Sequence, residues 1–217
     1  MVTALAGALT TQGPLHWPGQ PHEVPPSGLQ REVVRWQPAP AGIPSAIHFG
    51  LAAGWNLVTL VATPAGRLTA QGVCVSLDGN TPETAIEVYR WEAAGWDGHV
   101  CGVPPNDFGL EVGRGYFVRL VKPSQWAYEG MAESVPATLS LVTGWNLVGF
   151  ASRSTASESC ATFTDASGPG MMLEIARWVD GGWDTFRCGL PPNDFTLEAG
   201  RGYFIRLTRP TQWTQGR

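Results

Sequence analysis

The chain has 217 residues, a net charge of -4, only 15% charged residues, and 27 glycines with 18 prolines. It has no basic run, which excludes the electrostatic footprint of a nucleic-acid binder, and no apolar stretch nears the roughly 18 residues of a spanning helix. Abundant Gly and Pro with few charges favour turn-rich β structure over helical bundles.

Residues 1–42 stand apart. Pro14, Pro18, Pro21, Pro25, Pro26, Pro38 and Pro40 oppose regular helix or central strand, so this arm cannot bury a core of its own. It reads either as a leader or linker, or as an extended arm lying along a partner subunit with Leu15, Trp17, Val33, Val34 and Trp36 as assembly anchors. The stretch "REVVRW" resembles "IEVYRW" and "LEIARW" further on, which makes an added edge strand a candidate. The opening "MVTALAGALTTQG" lacks a basic n-region and is a poor secretory signal. The expectation is a chain cut from a longer precursor or made without a signal.

Beyond the arm the sequence repeats. Residues 90–126 and 177–213 align at a constant offset of 87, with 24 of 37 positions identical. Upstream, "GWNLV" at Gly54 recurs at Gly144 and Cys74 pairs with Cys160. This is a tandem duplication of a unit about 80 residues long, giving β repeat domains over 43–128 and 129–217. Within each unit, "AIHFGL" and "LVTLVA" flank the turn "AAGWN" and predict a hairpin, matched by "TLSLV" and "LVGFA". A short helix follows in "LTAQGVCVSL" and in "STASESCATF", where Thr155 and Glu158 have capping-box spacing. The strand "IEVYRW" is expected to place Ile86 and Val88 on one face, Glu87 and Trp91 on the other. After "WDGHVC" and a Pro-Pro-Asn-Asp loop, "YFVRLV" closes the unit. The predicted fold is mainly β, α+β within each unit: two tandem small antiparallel β domains, each with one short helix, plus an extended Pro-rich N-terminal arm.

The four cysteines are Cys74 and Cys101, then Cys160 and Cys188, at corresponding places in the two copies. Zinc needs about four ligands, commonly in close pairs. There is no C-x-x-C, and His16, His22, His48 and His99 all precede residue 100. We expect no metal and two intra-repeat disulfides, Cys74 with Cys101 and Cys160 with Cys188, with free buried thiols as the alternative. Each would stabilise its unit by about 3–4 kcal/mol on the chain-entropy model and would suit an oxidising location.

Eight of the ten tryptophans fall into pairs: Trp55 with Trp145, Trp91 with Trp178, Trp96 with Trp183, and Trp126 with Trp213. They read as core or inter-domain packing, with Trp96 and Trp183 kept as candidates for ligand stacking. Arg119 and Arg206 share a strand face with Phe117 and Phe204 and are expected over an aromatic ring.

The other recurring polar residues are Asp97 and Asp184, Asn106 and Asn193, Asp107 and Asp194, Glu111 and Glu198, Arg114 and Arg201, and Arg90 and Arg177. They contain no nucleophile and base pair, and the predicted protein is no enzyme and has no cofactor. Asp107 and Glu111 could form a glycosidase-like carboxylate pair, but Asn106 and Asp107 read better as caps of a turn after the prolines, and Glu111 as a partner for Arg114 across the glycine turn. A calcium site using Asp78 or Asp165 is a weaker alternative. Gly113 and Gly115 are expected to supply positive φ, with Pro104 and Pro105 stiffening the approach.

The order "GWNLV", helix, "RW…GW", "LPPNDF", "LEAGRGYFIRL" resembles a repeat module at the ends of large bacterial extracellular and cell-surface proteins and in some virion proteins. The resemblance covers residues 43–217 and implies a non-catalytic appendage. With the arm and the poor signal, the expectation is a structural protein on an extracellular assembly or virion surface: a phage capsid decoration, tail or fibre component, oligomeric there and docked to other subunits through its arm. The alternative is a secreted or surface-layer adhesion module that binds surface glycan through exposed tryptophans.

Overall fold

The computed structural model describes residues 44–79, 83–92, 95–131, 137–167, 170–190 and 192–215. The first copy runs β1 (Pro44–Leu51), β2 (Gly54–Thr59), β3 (Thr63–Pro64), α1 (Ala70–Asp78), β4 (Ala85–Glu92), β5 (Gly95–Val100), β6 (Gly115–Leu120) and β7 (Ser124–Met131). The second runs β8 (Thr138–Leu141), β9 (Gly144–Gly149), β10 (Ser154–Thr155), α2 (Ala156–Ser167), β11 (Met172–Val179), β12 (Gly182–Arg187), β13 (Thr196–Leu197), β14 (Gly202–Leu207) and β15 (Thr211–Thr214). The protein is thus mainly β, with one short helix per copy. Strand β7 continues to Met131, past the boundary expected at residue 128.

Each copy is built on a four-stranded antiparallel sheet in the same order, β2-β6-β4-β5 and β9-β14-β11-β12. The hairpin expected between β1 and β2 does not form. Strand β1 pairs with β7 and β2 pairs with β6. The two ladders join across a corner, from Leu51 opposite Ser124 to Gly54 opposite Leu120. The recurring "GWN" makes that corner. Gly54 has φ +88°, which an L side chain rarely adopts. The buried Asn56 side chain accepts from Ala52 N at 2.8 Å and donates to Ala52 O at 2.9 Å. Asn146 does the same with Val142, both at 2.8 Å. A turn that looks like a hairpin loop is therefore a bend in one long strand.

The helix covers one face of each sheet. In α1 the buried residues are Ala70, Val73, Cys74 and Leu77, a spacing of three, four and seven that gathers them on one side. They meet Val88, Tyr116, Val118 and Leu120 of the sheet and Phe49 and Trp126 from β1 and β7. The second copy repeats this with Ala156, Cys160 and Phe163 over Ile175, Tyr203, Ile205 and Leu207. One expected alternation fails. A register shift between Ala85 and Glu87 puts Ala85, not Ile86, on the core face with Val88. The same bulge between Met172 and Glu174 leaves Leu173 42% exposed, because the extra residue of a bulge turns away from the ladder.

The opposite faces of the two sheets meet each other. A third core joins Leu57 and Phe117 of the first copy to Leu147, Ala176 and Phe204 of the second. The backbones exchange reciprocal hydrogen bonds there, Thr59 N to Gly200 O at 3.0 Å and Gly149 N to Gly113 O at 2.8 Å. The copies are thus related by a local pseudo-two-fold axis. Strands β6 and β14, buried on both faces, are the centre of the molecule.

Because the Asn56 amide carries two corner bonds inside a nearly closed environment, Asn56→Ala should cost about 2–3 kcal/mol in urea unfolding, and Asn146→Ala should cost the same. A loss below about 0.5 kcal/mol in both would show that the bend holds without them.

Candidate functional site

The stretch shared most closely by the copies, Cys101–Phe117 and Cys188–Phe204, carries most of the recurring polar residues. In both copies it leaves the edge strand, crosses the start of the helix and returns as the central strand. The cysteines open it. Cys74 is bonded to Cys101 and Cys160 to Cys188, with Cα atoms 5.6 Å apart in each. Each disulfide ties the helix to the end of β5 or β12. Both are compatible with an oxidising environment.

The prolines then carry the loop to Asp107, whose carboxylate accepts from Gln71 N at 2.8 Å. Asp194 accepts from Ser157 N at 3.0 Å and from the Ser157 hydroxyl. These aspartates cap the helix N-termini, where free N–H groups and the helix dipole favour a negative charge. The expected turn cap is in fact a helix cap. The Ser157 hydroxyl bond holds the Asp194 carboxyl below the usual aspartate range. Thr69 adds a second cap by accepting from Gly72 N at 3.1 Å. In the second helix the predicted box closes both ways, Thr155 N to Glu158 Oε2 at 2.7 Å and Glu158 N to Thr155 Oγ1 at 3.2 Å.

Glu111 pairs with Arg114 at 2.9 Å across the glycine turn, and Glu198 with Arg201 at 2.9 Å. The backbone N–H groups of Glu111 and Glu198 donate to the Tyr116 and Tyr203 hydroxyls at 2.7 and 2.8 Å. Burial pushes both phenols up to about 12, so they remain neutral donors and acceptors. Gly113 has φ +82° as expected. Gly115 does not have a positive φ. Its role is close approach, since a Cβ there would stand 2.7 Å from Leu147 of the other copy. Gly202 answers it, with a would-be Cβ 2.8 Å from Leu57.

The remaining pairs are also internal. Arg90 meets Asp97 at 2.8 Å and lies over the Phe108 ring at 4.5 Å. Arg177 meets Asp184 at 2.7 Å and lies over Phe195 at 4.2 Å. Arg119 and Arg206 stack as expected, but on Trp55 and Trp145, and pair with Glu87 and Glu174. The role of Arg90 and Arg177 was not legible in sequence. Their ring partners lie 18 residues away on a loop whose path only the fold shows. Asp78, the calcium alternative, accepts from Thr84 N and Ala85 N at 2.8 and 3.0 Å and so fastens the helix end to β4. Asp165 and the anchors Leu15, Trp17, Val33, Val34 and Trp36 lie outside the residues whose side chains are described. Among the described residues no group of three or more His, Cys, Asp and Glu is placed to hold a metal ion, and no helix is long and apolar enough to cross a membrane.

The indoles are gathered between the copies. Phe117 is met edge-on by Trp55 and Trp96 of its own copy and by Trp178 and Trp183 of the other, at 5.6–6.0 Å between ring centroids. Phe204 is met by Trp145 and Trp183 and by Trp91 and Trp96 in the same way, at 5.4–5.9 Å. Edge-to-face pairs of this kind contribute roughly 0.5–1.5 kcal/mol each beyond area burial. Trp96 and Trp183, the candidates for ligand stacking, are therefore members of this cluster and half-buried in it. Trp126 is fully buried on Phe49 in its own copy, while Trp213 packs on Phe150 and Phe163.

Comparison with protein-family models, with curated proteins and with solved structures returns no match to this chain.

His99 is among the buried polar residues that break the symmetry. His99, 2% exposed, donates Nε2–H to Gln71 Oε1 at 2.7 Å, and its Nδ1 has no hydrogen-bond partner. The second copy has the buried Phe186 in its place. His99→Phe removes that orphaned nitrogen at nearly constant volume, while Gly102 N still donates to Gln71. It should raise stability by about 1 kcal/mol, read as a higher denaturant midpoint; a lower midpoint would show that the Gln71 bond outweighs the burial cost. The Asp194 cap is checked by carboxyl-carbon NMR. Asp194 should titrate below an ordinary aspartate, and Ser157→Ala should move it upward. Since the folded value is the depressed one, the cap's stabilising contribution is present above the ordinary aspartate value and is lost as pH falls through the folded one.

Proposed function

We propose that this is a non-enzymatic structural protein displayed on an extracellular assembly, in the first place a phage virion component such as a capsid decoration, tail or fibre protein, docked to other subunits through residues 1–42. The observation that carries this reading is the use of the retained polar residues. The carboxylates and guanidinium groups kept in both copies cap a helix, brace a turn, pair with one another or stack on a ring. Duplication has preserved a scaffold. Two disulfides inside two small units suit a protein that persists in oxidising surroundings. The arm supplies what the repeats do not, a proline-restricted segment with large apolar anchors, which loses less backbone entropy on docking than a flexible chain would.

The adhesion reading draws on exposed tryptophans. Among the eight paired tryptophans none is exposed, and six of them line the cluster between the copies. That favours display over glycan stacking.

The test begins with the native source. Mass spectrometry of its particle and filament fractions should find this chain there, and a chain beginning at residue 43 should keep the melting transition of the full protein yet fail to enter the particle. Equal incorporation of the truncated chain would move the docking surface to the repeats. Recovery of the chain only from the cell wall or as a free secreted protein would overturn the virion reading in favour of adhesion.

A further inference from the structure

A residue on a two-fold axis faces its own counterpart, so two side chains cannot both fill such a place. Leu57 and Gly202, and Leu147 and Gly115, form knob-and-hole pairs on either side of the pseudo-axis. Each copy carries both a knob and a hole there, so these pairs cannot tell one copy from the other. Thr59 and Gly149 can. They end the equivalent strands β2 and β9, "GWNLVT" and "GWNLVG", and they face each other. A Cβ on Gly149 would stand 2.2 Å from Thr59 Cγ2, 2.4 Å from Oγ1 and 2.6 Å from Cβ, separations that non-bonded atoms do not tolerate. Gly149 has no positive φ, so crowding alone explains its glycine. Thr59 is 1% exposed, and its hydroxyl donates to Arg114 O at 2.7 Å. A second inequality accompanies it. The Tyr89 ring lies across Gly98, where the second copy has Ala176 and Thr185.

We infer that Thr59 over Gly149 is the specificity element of the docking face between the copies: it makes the face of the first copy complementary to the face of the second and to no face of its own kind. First against first would force two threonines into one space. Second against second would leave two glycines with an unfilled gap. The partner that fits either face is thus the other copy, in the same chain or from a second one. This inference stands apart from the proposed display role, and its test does not depend on finding the assembly.

The full-length protein carries the test as a double-mutant cycle. Gly149→Thr should lower Tm by about 5 °C or more through overpacking, and Thr59→Gly should lower it by less. The exchange variant Thr59→Gly/Gly149→Thr moves the side chain across the axis and should recover most of the Gly149→Thr loss. If Gly149→Thr does not fold, Gly149→Ala serves as the milder variant, with the exchange partner Thr59→Gly restoring its Tm. An unchanged Tm for the Gly149 variants, or an exchange variant no more stable than the sum of its parts, would overturn the inference. A second arm uses the full chain cut at a protease site introduced between Met131 and Thr138 and mixed with its isotope-labelled twin. Native mass spectrometry should find first-with-second pairs alone, labelled and unlabelled; first-with-first or second-with-second pairs would refute the specificity.

Discussion

A four-stranded sheet has two faces, and in each copy of this protein one short helix covers only one of them. The uncovered face holds Phe117 in one copy and Phe204 in the other. Left to water, either would be a broad aromatic patch of the kind that drives association. Packing the copies together removes both patches at once, and the architecture follows from that need. Each central strand must be apolar on both sides, as "GYFVRL" and "GYFIRL" are. The edge strands set one ring on each face, Trp96 and Trp183 toward the other copy and His99 and Phe186 buried on the helix side.

Close packing imposes its own constraint on the backbone. The sheets exchange main-chain hydrogen bonds at the Gly113 and Gly200 turns, which brings the chains nearer than stacked sheets usually come. Side chains at the crossing must then be absent. This is why the Gly-Arg-Gly element is written twice with two glycines that do different things. The first allows a left-handed turn and the second admits a leucine from the other copy. The arginine between them is partly buried and pairs with its glutamate three residues earlier.

Much of this was legible in sequence because the duplication supplied an internal comparison. The cysteine pairing, the helices, the capping box and the Glu–Arg brace each depend on residues close in sequence or equivalent by offset. What escaped reading depends on direction in space. The β1 and β2 segments look like a hairpin because a glycine-bearing turn joins two apolar runs. Only the Asn56 side chain, folded back on Ala52, marks it as a bend. The bulge at Ala85 shifts an alternation by one residue, and no pattern rule anticipates the shift. The glycine at 115 reads as a turn residue until its neighbour is known to be Leu147 of the other copy. In each case the missing information was which segment lies across from which.

The two kinds of fastening in each copy are separated in space, and the separation has a physical logic. The disulfides sit in the outer layer, between the helix and an edge strand, where a helix of nine or twelve residues has one buried stripe and little else to hold it. The aromatic cluster sits in the inner layer, where ring contacts are many and both faces of the central strands are covered. A covalent link would add least there, since the chain is already constrained by packing. In the outer layer the same link closes a separation of 27 or 28 residues over a thin core. Small units that share an interior can thus be built from little apolar material, provided the shared face is made unequal enough to choose the right partner and the outer layer is stapled.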